Sequence, residues 1–231
     1  MLINRYENHT FVTDLLPANP VVIDLGGNQG NFSGNIMAAF PGARAFIVEP
    51  HPDLAAGIEK RRIGKVLEAA VAGRGGETRF FINPKRCATL LDTIREEGAH
   101  EVVVRTVTLA DVFTWAQIQI VDLLKVDIEG SELEMFETSS DDLLRCIGQI
   151  TIEFHDFLDK EQLPGVKNTI HRLGQLGFLY VNLSWHTHGD MLFINRNRTD
   201  YSEWKMLRLR AWKYLAGMKR IVNRLRKINH R

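Results

Sequence analysis

Short runs rich in β-branched residues alternate along this chain with stretches whose apolar positions return every three or four residues. The first kind predicts strands and the second helices packed by one face. After a polar N-terminal stretch, VVIDLGG follows Pro20 and leads into FSGNIMAAF, which reads as strand, glycine turn and helix. ARAFIVEP ends a second strand at Glu49 and Pro50, a helix runs from Asp53 to Arg62, and KVLEAAVAG forms a third strand. This is a βαβαβ pattern. TRFFIN and EVVVRTVTL are then expected as strands lying over the sheet edge or the site, separated by a polar segment from Cys87 to His100, with LADVF as one helical turn. IVDLLKVDIEG is apolar enough for a strand buried on both faces, interrupted by Lys125. Helical segments at Ser131 to Phe136 and Asp141 to Cys146 precede the strand QITIEFH, and a helix from Lys160 to Leu176 is expected to stop at Gly177. FLYVNLSW, the turn THGD and MLFINR close the pattern as a hairpin.

Strands alternating with helices predict an α/β fold, doubly wound around a mostly parallel sheet, with an antiparallel hairpin at its C-terminal end. Ligands in such sheets bind beyond the carboxyl ends of the strands. The residues to weigh are therefore those at Asp24 to Gly30, Glu49 to His51, Ala70 to Ala72, Asp127 to Glu129 and Glu153 to Asp156.

The first turn reads DLGGNQGNF. A dinucleotide fingerprint beginning at Gly26 needs glycines at positions 28 and 31, and both are Asn. Asp24 would also repel a diphosphate, whereas it suits a ligand carrying an ammonium group. Glu49, 23 residues after Gly26, is placed to accept hydrogen bonds from both hydroxyls of a ribose. Acid, glycine turn and second acid together describe a site for S-adenosylmethionine. The bland alternative is a tight turn at Gly26 and Gly30 with Glu49 merely ending a strand.

VIDLGGNQGNFS, FIVEPHP, AAVAG, VTLADVF, VDLLKVDIEGSELEMF and ITIEFH resemble the FkbM-type methyltransferases, a branch of the class I S-adenosylmethionine-dependent, Rossmann-like fold. The resemblance runs from about Val21 to Arg196, with DLLKVDIEGSE its most specific part, and Gly27 stands where the family more often has Ala. It implies a seven-stranded sheet and methyl transfer, usually to oxygen, on sugars and other small or lipid-linked metabolites. Carried over residue by residue, it puts Asp24, Gly26, Asn28 and Gly30 on the methionine arm, Glu49 on the ribose, and Ala70 and Val71 at the adenine edge; Asp127, at the end of its buried strand, is also expected to contact the cofactor.

Asp127, Glu129, Glu153 and His155 stand at adjacent strand ends, costly positions for polar groups unless they are paired or used. Methylating a hydroxyl requires removing its proton, and His155 has the most suitable unperturbed pKa for the base, with Glu153 orienting it only if the chain bends. Lys125 is expected to pair with Asp127 or Glu153. A divalent metal on Asp127, Glu129 and His155 is the alternative to a simple base, and His186, His188 and Asp190 make a second, weaker cluster. Exocyclic-amine methylases usually carry Asn or Asp followed by Pro-Pro after this strand; here the chain reads Asp-Ile-Glu-Gly, which disfavours base methylation.

Charge adds a feature that the motifs do not explain. The net charge is +1, yet Trp204 to Arg231 hold ten Lys/Arg and no Asp or Glu, leaving 19 basic against 28 acidic residues elsewhere, a net of −9. Leu207, Ala211, Tyr214, Leu215, Met218, Ile221, Val222, Leu225 and Ile228 recur at helical steps, and Lys213, Lys219, Arg220, Arg224, Lys227 and Arg231 lie around the other face. Residues 1–203 are thus read as one domain with its core at about 20–196, and 204–231 as a basic amphipathic helix. Such a helix fits an anionic membrane surface, docking on its own body or a second subunit, and less well nucleic acid. With no secretory core at the N-terminus and only Cys87 and Cys146, a cytoplasmic protein, peripheral at the membrane if the tail binds there, is expected.

The composition, 45% hydrophobic and 25% charged, excludes a rod or a disordered chain and leaves three functions. These are an O-methyltransferase acting on a glycan, lipid-linked sugar or similar hydroxylated metabolite; a nicotinamide-dependent oxidoreductase, which the broken fingerprint opposes; and a non-catalytic surface-binding relic of the fold.

Overall fold

A computed structural model describes residues 2–82, 100–157, 159–201, 205, 207–209 and 211. Among the described residues the main elements, in chain order, are the following strands and α-helices. The first are β1 (Ile3–Tyr6), β2 (His9–Val12), β3 (Val21–Leu25), α1 (Asn31–Ala39), β4 (Arg44–Val48), α2 (Pro52–Arg61), β5 (Lys65–Leu67), β6 (Ala70–Val71) and β7 (Gly76–Ile82). After these come β8 (His100–Val107), α3 (Leu109–Ala116), β9 (Val121–Val126), α4 (Glu132–Thr138), α5 (Asp141–Arg145), β10 (Ile147–Ile152), α6 (Leu163–Gln175), β11 (Phe178–Asn182) and β12 (Met191–Asn195). Seven strands form the central sheet in the order β11-β12-β10-β9-β3-β4-β5. β5, β4, β3, β9 and β10 pair in parallel. β12 runs antiparallel to both of its neighbours, so the closing hairpin puts its antiparallel strand inside the sheet and leaves β11 at the edge parallel to the rest.

Local chemistry explains where the helices start. His51 Nδ1 accepts from the backbone N–H of Asp53 at the head of α2, where Pro52 takes the first position. Thr108 and Asp111 bond reciprocally across the first turn of α3. That box stabilises two turns where LADVF suggested one. β9 and β10 carry Val121, Leu123, Leu124, Val126, Ile147, Ile150 and Ile152 with no exposure to solvent, as strands covered on both faces require. One apolar cluster joins them to α3, α4 and α6, and a second on the other face gathers Phe11, Val22, Phe32, Ile36 and Leu123.

Two departures from the sequence pattern shape the site. The expected third strand is broken: Lys65 to Leu67 pair with β4, whereas Ala70 and Val71 leave that sheet and pair with β8. With β7 they make a three-stranded sheet, β6-β8-β7, over the carboxyl ends of the parallel strands. The run EAAVAG has no alternation to mark the change, because its small apolar residues suit either sheet. The N-terminal stretch, for which the pattern predicted no element, is the hairpin β1-β2, and all four residues of β2 are buried. Gln149 of β10 holds it: its amide accepts from Val12 N at 2.9 Å and donates to Val12 O at 3.0 Å.

The polar segment from Cys87 to His100 lies, save its last residue, outside the described residues, as do most of 204–231. Lys205, Leu207 to Leu209 and Ala211 are helical. Leu209 is fully buried with Tyr201 against Val181, Leu192 and Ile194, while Leu207, counted in the apolar stripe, is half exposed. Among the described residues no helix is long and apolar enough to cross a membrane.

Candidate functional site

The turn after β3 is set by backbone geometry. Gly26 has φ of +75°, and a Cβ there would stand 1.8 Å from the carbonyl oxygen of Asp127, so β3 and β9 meet this closely only with glycine. Beneath the turn the fully buried Asp24 accepts from Ser33 Oγ at 2.7 Å and faces Lys125 Nζ at 3.2 Å. Lys125 in turn donates to the carbonyls of Leu25 at 3.2 Å and Gly26 at 2.5 Å. Burial alone would lower the Lys125 pKa, but the charges of Asp24 and Asp127 outweigh it and raise it. The Asp24 and Lys125 pair therefore holds the glycine turn from below.

Above the turn lies a half-open cleft of about 570 Å³, its mouth included. It is lined by Gly26 and Asn28 of the glycine turn, by Glu49, Pro50 and Leu54 after β4, by Ala69, Ala70, Val71 and Phe80, and by Asp127, Ile128 and Glu129 after β9. Of the residues expected on the cofactor, Gly26, Asn28, Glu49, Ala70, Val71 and Asp127 line this cleft. Asp24 and Gly30 do not: the first is occupied below the turn, and the second caps α1 in a left-handed conformation. Glu49 accepts from the backbone N–H of Asn28 at 2.7 Å and of His51 at 2.8 Å. Burial raises its pKa to about 7 against the pull of those two bonds. Asn28 and Glu129 hold positive φ of 49° and 53° without being glycine, a strain of the kind that clusters at ligand sites.

Beyond the cleft the strand ends of β9 and β10 carry a cluster of ionisable groups. His155 Nδ1 lies 2.9 Å from Glu132 Oε1, and its Nε2 lies 3.3 Å from Glu129 Oε2 and 3.8 Å from Asp127 Oδ1. Burial would lower the His155 pKa, but the bond to Glu132 and the charges of Glu132, Glu129 and Asp127 reverse this and raise it to about 9. A pKa raised in this way favours the protonated imidazole at neutral pH, which weighs against the role of base that its ordinary value suggested. Burial raises Glu129 to about 7, with His155 opposing, and also raises Glu153. Asp127 goes the other way: burial is outweighed by Lys125, His9 and His155, which hold it below the usual carboxylate range.

The partners differ from those expected. Glu132, not Glu153, orients His155, because the chain leaves β10 at Ile152 and turns the imidazole towards α4. Lys125 does pair with Asp127, one of the two partners expected, at 3.7 Å, but stands closer to Asp24, at 3.2 Å. His188 bonds Asp156 at 2.7 Å while Asp190 accepts from Thr10 and pairs with Arg5 at 2.9 Å, so WHTHGD is a structural loop. Asp127, Glu129 and His155 do present donor atoms within 4.8 Å of one another.

Three residues of the site had no part in the sequence reading. His9 of β2 is fully buried with Nε2 3.5 Å from Asp127 Oδ2. Glu132 was quoted only as part of DLLKVDIEGSE, and Phe80 only as part of an apolar run. Nothing local marks His9, which reaches the site through the hairpin's docking.

The family described as Methyltransferase FkbM domain matches residues 24–199. Among curated proteins, Methyltransferase sdnD of Sordaria araneosa is 24% identical over 185 residues, spanning 64% of this chain and 71% of that protein. Among solved structures, precorrin-6y C5,15-methyltransferase from Geobacter metallireducens aligns at 14% identity over 76% of this chain and 78% of its own, with a TM-score of 0.40. Aeropyrum pernix fibrillarin, solved with natively bound S-adenosyl-L-methionine, aligns at 14% identity over 77% of this chain and 67% of its own, with a TM-score of 0.41.

Proposed function

The chain belongs to the FkbM methyltransferase domain family, and from that premise we propose that it moves the methyl group of S-adenosylmethionine to a hydroxyl oxygen of a sugar, lipid-linked glycan or similar metabolite. It is a methyltransferase, and S-adenosylmethionine is its methyl donor. The observation that carries the placement is the cleft in which the glycine turn and Glu49 face each other with no diphosphate cradle between them. Gly26 and Asn28 take the amino-acid arm, and Glu49 takes the ribose: its two oxygens already accept backbone bonds but keep lone pairs for more. Ala70, Val71 and Phe80 offer the adenine an apolar wall. Asp24 acts from below, through Lys125, as a positioning residue.

Transfer is an in-line displacement. The acceptor oxygen bonds the methyl carbon, the carbon–sulfur bond breaks with its electron pair going to sulfur, and S-adenosylhomocysteine leaves. The acceptor's proton goes to Glu129, which lines the cleft 3.3 Å from His155; His155 and Glu132 brace it from behind. Oxygen is favoured over a base amine because Asp127 is followed by Ile128 and Glu129 rather than by two prolines.

Calorimetry with S-adenosylmethionine and with NAD tests the reading. The wild type is expected to bind the first and ignore the second. Glu49→Ala removes ribose bonds each worth about 1.5 to 3 kcal/mol to a charged acceptor, so it should weaken binding by tenfold or more. Binding of NAD alone would overturn the assignment.

A further inference from the structure

The geometry points to a divalent metal site built from His9, Asp127 and Glu153, in which the N-terminal hairpin supplies a ligand to the strand ends of the core. His9 is fully buried, and neither of its ring nitrogens makes a hydrogen bond. Asp127 Oδ2 stands 3.5 Å from Nε2, an ion-pair contact that helps hold Asp127 low. At that length it is a weak substitute for a hydrogen bond. The length is close to the spacing of about 3 to 3.4 Å between neighbouring ligands that each stand about 2.1 Å from one ion. One donor atom from each of His9, Asp127 and Glu153 lies within 4.8 Å of the others. A buried imidazole held by this one long contact is costly, and an ion at Nε2 would remove the Nε2 share of that cost, with Nδ1 still unbonded.

The surroundings fix the imidazole rather than leave it to drift. The ring of Phe32 stands edge-on to His9 at 5.9 Å. The next residue, Thr10, donates to Asp190 from its backbone at 3.2 Å and its hydroxyl at 2.9 Å, and Arg5 pairs with the same carboxylate. Val12 is tied at both backbone groups to Gln149. The charge balance suits a cation. Asp127, Glu129, Glu132 and Glu153 are gathered here around Lys125 and His155, and Lys125 is shared with Asp24, its nearer carboxylate. One imidazole with two carboxylates suits Mn²⁺, Fe²⁺, Co²⁺ or Zn²⁺ rather than a soft ion. An ion there would lie beside the cofactor cleft, which Asp127 also lines. Any part it plays with the acceptor rests on the methyltransferase reading; its presence does not.

The test is a Co²⁺ titration of the chelator-stripped full-length protein, followed by calorimetry and by visible absorption. One saturable equivalent is expected. His9→Gln and Glu153→Gln should each weaken it at least about tenfold, since even the loss of an outer partner of a metal ligand costs about 10- to 100-fold. Thermal melts show whether His9→Gln has folded, and if it has not, Glu153→Gln decides alone. Absence of saturable binding in the wild type would overturn the proposal. So would binding that survives both substitutions but is lost in Glu129→Gln, which would put the ion on Asp127, Glu129 and His155 instead. S-adenosylhomocysteine is titrated separately, so a protein that binds cobalt but not this ligand sinks the methyltransferase reading and spares the metal, and the converse sinks only the metal.

Discussion

Glu49 shows how one carboxyl can be asked for opposite things by folding and by binding. Burial lifts its pKa from 4.5 to about 7. In the folded protein it holds its proton up to that pH, whereas unfolded it releases it near 4.5, so folding takes up a proton in between. Its contribution to stability is therefore complete below about pH 4.5 and is lost as the pH rises through 7. Ribose binding needs the ionised acceptor and runs the other way. Cofactor affinity measured by calorimetry should fall as the pH drops from 8 to 6 in the wild type, and Glu49→Gln should bind more weakly at pH 8 with a flatter profile. A wild-type profile that matches the variant's would remove Glu49 from the site. At the same scale, Glu129→Gln should lower turnover by about 10²- to 10⁴-fold if it takes the acceptor's proton, the usual range for a lost base. Unchanged turnover of an acceptor that the wild type methylates would return Glu129 to a bracing role beside His155.

The hairpin is the element on which the ionisable cluster depends, and Gln149 is what docks it. Its amide satisfies both backbone groups of Val12 at a site without solvent. Gln149→Leu keeps the volume but strands two buried backbone groups at about 1 to 3 kcal/mol each. The variant should melt several degrees lower, and amide exchange should speed up first in residues 3–12; protection lost uniformly across the sheet would contradict local undocking. The same dependence explains what the sequence could and could not tell. β3, β4, β9 and β10 were legible because strands buried on both faces are marked by continuous apolar runs, and Gly26 and Glu49 were legible because they sit at the ends of those runs. β2 was not, because its burial comes from a partner 137 residues away and its polar His9 and Thr10 look like any surface turn. The break between β5 and β6 was hidden for a related reason: Ala69, Ala70 and Val71 have no alternation from which to read a change of sheet. Glu132 was visible as a letter in the motif, but only the turn of the chain after Ile152 shows that it holds His155.

For the whole molecule the open question is what the charge split is for. A body of net −9 carries a segment from Trp204 to Arg231 with ten cations. Within it Leu209 is buried in the cluster with Tyr201, and burial pushes the Tyr201 hydroxyl up to about 12. Removing the whole segment would therefore damage the core as well as the charge, so substitution is the cleaner test. Arg220, Arg224, Arg226 and Lys227 lie beyond the described residues and well past Leu209. At about 1 kcal/mol for each cation near an anionic surface, changing all four to Gln should reduce membrane affinity by up to about three decades. Attachment of this kind also weakens with salt, as the Debye length falls from about 10 Å at 0.1 M to 3 Å at 1 M. The wild type is expected to co-sediment with vesicles containing phosphatidylserine, to leave them at 1 M salt, and to ignore neutral vesicles; the fourfold variant should stay in the supernatant. Equal sedimentation of the two proteins, or a wild type that never sediments, would assign the basic residues to the acidic body or to a second subunit, where the same charge difference of sign draws them.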